Sequence, residues 1–116
     1  MFDPRMKKLA NVIVGYSTKV QPGERVLIEA FDIPAEMVTL LIDRVAEAGG
    51  IPFAQTFTGR VTRSLQMNMT EEMARIYGNR DLEFMKQMQA YIGLRGGLAM
   101  ASRSLSQMRA RVLRGA

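Results

Sequence analysis

The side chains of this chain that could do chemistry are few and are mainly carboxylates. Glu29 and Asp32 close one apolar run, "VLIEAFD", and Arg95 closes another, "AYIGLR". At the carboxyl ends of neighbouring strands these three would share the crevice where open α/β sheets bind ligands. They are the candidate cleft-facing residues. The simpler roles are a helix cap for Asp32 and a solvated or ion-paired strand end for Glu29. Asp43 and Glu47 stand one helical turn apart, but with no third or fourth ligand nearby they read as a solvated stripe, not a metal pair. "GLRGG" at 93–97 lacks both the G-x-G-x-x-G spacing and the Walker lysine, so it reads as a strand end with a flexible exit.

What is missing narrows the chemistry further. The sequence contains no histidine and no cysteine. The commonest general base, the commonest transition-metal ligand, thiolate chemistry and disulfides are therefore all excluded. Tyr16-Ser17 lacks the glycines of a nucleophile elbow. No catalytic constellation and no metal site are expected within this chain.

The elements that must carry these residues follow from spacing. Asp3-Pro4 suits a helix start. Met6, Leu9, Ala10, Ile13 and Tyr16 then recur at helical intervals, until Pro22-Gly23 predicts a type II turn. Val26-Leu27-Ile28 shows no polar alternation, which predicts a central strand covered on both faces. Asp32-Ile33-Pro34 restarts a helix to about Ala48. It is apolar except for a narrow stripe of Glu36, Thr39, Asp43 and Glu47, and Gly49-Gly50 ends it. "IPFAQTF" predicts the second strand of a right-handed βαβ unit. A short helix is expected in 58–69. Another starts at Thr70 with Glu71-Glu72 and is interrupted at Gly78-Asn79. "AYIGLR" is the third strand, with Gly93 marking a close approach or a bend. "SLSQMRARVL" predicts a basic amphipathic helix at the end. The fold class expected is α/β: a Rossmann-like three-layer domain with a mostly parallel sheet of three to four strands and flanking helices.

The 116 residues suit one domain, read as an α/β unit over 1–98 and a basic helical tail or linker start over 99–116. The net charge of +5 is uneven: ten Lys/Arg against four Asp/Glu lie in 59–116. No aromatic residues interleave with the tail arginines, so a solvated face is expected in preference to nucleic-acid binding. Met67, Met69, Met73, Met85, Met88, Met100 and Met108 crowd the second half. Core filling is the default reading, with an adaptable contact surface as the alternative. No signal peptide or membrane span is expected, and the simplest compartment is the cytoplasm.

Three segments, taken in order, carry a resemblance. "DPRMKKLANVIVGYSTKVQPGERVLIEA", "AEAGGIPF" and "RDLEFMKQMQAYIGLRG" together resemble the start of metal-dependent aminopeptidases of the aminopeptidase T type, also called thermophilic leucyl aminopeptidases. The resemblance implies an N-terminal α/β domain followed by a larger catalytic domain. That second domain would hold two divalent metal ions, zinc or cobalt, on glutamate, histidine and aspartate ligands, and the intact enzymes would be dimers acting on peptide substrates. None of the matching segments is a catalytic motif, so no catalytic or metal-binding residue carries over. "ARVLRGA" falls where such a chain would run on to the second domain. The expectation is a fragment, inactive alone, whose partner is an absent catalytic domain. The alternative is a free-standing α/β module that binds a small ligand or self-associates.

Overall fold

A computed structural model describes residues 4–96 and 108–114. Four strands form one sheet in the order β2-β1-β3-β4. β1 (Arg25–Phe31) pairs in parallel with β2 (Ile51–Phe57) and with β3 (Ala90–Gly96), and β4 (Met108–Arg114) joins β3 antiparallel. With helices on both faces this is the expected three-layer α/β domain, its sheet mostly parallel. β1 lies in the interior, and Val26, Leu27 and Ile28 are almost fully buried on both of its faces, as an unbroken apolar run requires. The turn that feeds it carries Gly23 at φ +81°, the left-handed geometry expected of the third position of a type II turn.

One face of the sheet holds the core. Val26, Ile28, Ala90, Ile92 and Leu94 meet Met37, Leu40, Leu41 and Val45 of α2 (Ala35–Glu47) and Met6 and Ala10 of α1 (Pro4–Asn11). Asn11 and Glu47 both bind Arg44, at 2.8 and 2.6 Å, joining the two helices at the surface. Glu36, Thr39, Asp43 and Glu47 are exposed, as the narrow polar stripe predicted.

The opposite face is covered by α3 (Gly59–Met67) and α4 (Glu71–Met85), neither of which buries a residue. Phe84 of α4 meets Phe53 of β2 edge-on at 5.9 Å. Among the described methionines of this half none is fully buried: Met67 is 76% exposed, Met69 and Met85 lie at the surface, and Met73 and Met88 are half-buried. Among the described residues the buried methionines are Met6 and Met37. Among the described residues no helix is long and apolar enough to cross a membrane.

Three local expectations need correction. The first helix does not keep α-helical phase to Tyr16. It widens into a π-helical segment over Val12–Ser17, closed by Thr18 N–H donating to the Ile13 carbonyl at 2.8 Å. The wider turn rotates Val14 inward and leaves Tyr16 77% exposed. Nor does Gly78-Asn79 break α4, which is continuous. A glycine inside a helix costs only about 1 kcal/mol, and the start is fixed by Thr70, whose hydroxyl accepts the Met73 N–H at 3.1 Å. The third concerns the basic tail. Residues 108–114 are strand, not helix, because the free edge of β3 offers a full ladder of backbone partners to a returning chain. The expected tail residues 99–107, and the Asp3 cap, lie outside the described residues.

Candidate functional site

The strand order places β2 on one side of β1 and β3 on the other. β1 thus has a parallel neighbour on each side, and the carboxyl ends of such central strands are where open α/β sheets bind ligands. Alternation puts Leu27, Glu29 and Phe31 of β1 on the α3–α4 face, and register aligns Glu29 with Gln55 and with Gly93. Glu29 is half-buried. Its Oε1 accepts a hydrogen bond from the Tyr91 hydroxyl at 2.8 Å. Gly93 makes this bond possible, because a Cβ there would lie 2.8 Å from the Tyr91 oxygen. The phenol lies across the missing side chain to reach the neighbouring strand.

Asp32 faces elsewhere. It sits in the left-handed region at φ +56°, and its Oδ1 accepts the Gly59 N–H at 2.8 Å. It caps α3, which starts 27 residues later, and not the helix that follows it directly. Its own N–H donates to the Phe57 carbonyl at 3.0 Å, so Asp32 fastens the crevice turn to the end of β2. We expect Asp32→Ala to lower stability by about 1–2 kcal/mol, through the lost cap and an alanine held at positive φ. Asp32→Gly, which relieves the backbone, should cost less than Asp32→Ala. Urea unfolding followed by circular dichroism checks the order.

Arg95 is exposed, and its guanidinium lies 4.3 Å from the centre of the Phe31 ring. Phe31 in turn stacks on Phe57 at 4.6 Å, with the planes 13° apart. Glu29, Asp32 and Arg95 thus share an edge of the sheet but engage three different partners. Asp43 and Glu47 are exposed, and Glu47 is ion-paired with Arg44.

Two adjoining cavities lie between this face and the helices. The inner one, about 320 Å³, has Leu27, Glu29, Gln55 and Tyr91 as its floor and Asp81, Phe84 and Met85 of α4 as its roof. The outer one, about 360 Å³, extends over Phe31 and Phe57 to Leu65 and Met69, and shares Glu29, Gln55 and Asp81 with the first. Each is at the lower end of the roughly 300–1,000 Å³ range of small-molecule sites. Gln55, Asp81 and Tyr91 were not singled out from the sequence. The one available signal was Tyr91-x-Gly93, an aromatic residue beside an empty position on the same strand face.

Among the described residues no group of three or more His, Cys, Asp or Glu side chains gathers to hold a metal. The site offers instead a hydrogen-bonded carboxylate, a second carboxylate, an amide and aromatic walls. Comparison with protein-family models and with curated proteins finds no match for the chain.

Proposed function

We propose that this chain is the non-catalytic N-terminal α/β domain of a metallo-aminopeptidase of the aminopeptidase T type, acting in the cytoplasm. The observation that supports the reading most is the agreement between the resembling segments and the elements they form. The first segment supplies α1, the turn and β1, the second supplies the α2–β2 junction, and the third supplies the end of α4 and β3. Those pieces make the parallel sheet whose crevice would face a following catalytic domain. In that arrangement Glu29 and Arg95 help wall the substrate cavity. The metal ions and the peptide-cleaving groups belong to the companion domain, and the intact enzyme forms a homodimer.

The test is complementation. A catalytic domain of such an enzyme, stripped of its own first domain, is mixed with this chain and assayed on leucine p-nitroanilide with cobalt or zinc. Turnover above that of the catalytic domain alone is expected. No gain overturns the reading. The purified chain alone is expected to give no metal-dependent hydrolysis, and turnover by it would refute the assignment of catalysis to the other domain.

A second reading, a free-standing small-ligand module, is favoured by the pair of adjoining cavities. It requires no companion domain.

A further inference from the structure

The helical roof of the inner cavity is not built as a core would be. Met73, Tyr77, Asp81 and Phe84 recur at intervals of three and four along α4, the spacing of one helix stripe. A carboxylate interrupts this otherwise apolar stripe and lines both cavities. On the facing sheet, the interior strand carries Glu29, which also lines both. Two carboxylates therefore stand where the chambers join. No lysine or arginine among the described residues lines the inner chamber.

Among the described residues the nearby cations are engaged. Arg80, at the outer chamber, binds Asp81 at 3.2 Å and lies 5.1 Å from the centre of the Tyr77 ring. Arg95 lies against Phe31. An anionic ligand would meet the Glu29 carboxylate, which accepts from a neutral phenol, and a purely apolar one would take water from it. The remaining acceptors are the rest of the Glu29 carboxylate, Asp81 Oδ2, since Oδ1 is taken by Arg80, and the Gln55 carbonyl. They match a group with several donors and a positive charge. The Tyr91 and Phe84 rings add faces that attract a cation. Beyond the carboxylates, Phe31, Phe57, Leu65 and Met69 form an apolar lining.

We propose that the joined cavities bind a primary amine with a short apolar body. Its ammonium sits between Glu29 and Asp81, and its hydrocarbon lies along the Phe31–Phe57 stack. This site is independent of the peptidase reading, since it uses only residues of this domain.

The experiment is calorimetric titration of the purified 116-residue chain with hexylamine, hexan-1-ol and hexanoate at neutral pH. Hexylammonium is expected to bind, hexanol at least about tenfold more weakly, and hexanoate not at all. Glu29→Gln, which keeps an acceptor for Tyr91, and Asp81→Asn, on an exposed helix position, should each weaken hexylammonium by about tenfold or more. Far-UV circular dichroism confirms that both variants fold. Asp43→Asn, on the far side of the domain, should leave binding unchanged. The proposal is overturned if hexylammonium does not bind, if the alcohol or the carboxylate binds as well, or if neither carboxamide variant weakens it. Failure of the complementation assay does not bear on this result, so the two readings fail separately.

Discussion

Leu41→Ala is expected to remove about 2–5 kcal/mol of stability, while Leu82→Ala changes it by no more than about 0.5 kcal/mol. Both are leucines on long helices of the same domain. Leu41 is fully buried in α2, where it packs in the cluster formed with Val26, Ile28 and Ile92. Truncation there leaves a hole that the sheet cannot close, because parallel strands pinned on both edges have no freedom to collapse. Leu82 is 58% exposed on α4, so little apolar contact is lost. A loss at the upper end of that range would approach the whole stability of a marginal domain. Urea unfolding of the two variants side by side is the measurement. Equal midpoints would mean that the two layers carry the fold equally, contrary to the burial.

Gly50→Ala should be the second large effect, at about 1–3 kcal/mol. A Cβ at this position would lie 2.7 Å from a Val20 methyl, 3.0 Å from a Val45 methyl and 3.3 Å from the Glu24 carbonyl. Neither valine can give way easily. Val45 is fully buried, Val20 nearly so, and branched side chains are stiff about their first torsion. The Glu24 carbonyl is held by the Ile51 N–H at 2.7 Å, the contact that starts the β1–β2 pairing. The methyl therefore presses on the core and on the first rung of the sheet at once. Thermal unfolding checks it, and a variant as stable as the parent would show that the core relaxes around the added carbon.

What was legible in the sequence was whatever depended on local pattern. The unbroken run at Val26–Ile28 marked an interior strand because both faces must be apolar. The stripe on α2 marked which side faces water. Thr70 marked a helix start because its hydroxyl sits where free N–H groups need an acceptor. The misses depended on partners far along the chain. Residues 108–114 have basic character that suits a helix face, but also place Met108, Ala110 and Val112 two apart, and the edge of β3 decided between the two periods. The π-helical segment leaves no compositional mark beyond a phase that slips after Ile13. In the site, Glu29 and Arg95 could be assigned to a sheet edge, since strand ends are readable. Their partners could not, because Tyr91 reaches Glu29 only through register, and Asp32 finds Gly59 only through the return of β2.

The unequal layers also govern how the molecule comes apart. α3 and α4 bury no residue and are tied down by the Asp32 carboxylate at one end and the Phe53–Phe84 ring contact near the other. Detaching them uncovers Leu27 but leaves untouched the cluster shared with α1 and α2, so that separation should have a lower free energy than global unfolding. The two helices form a locally unfolding subunit whose amides exchange with solvent long before those of Ile28 or Leu41.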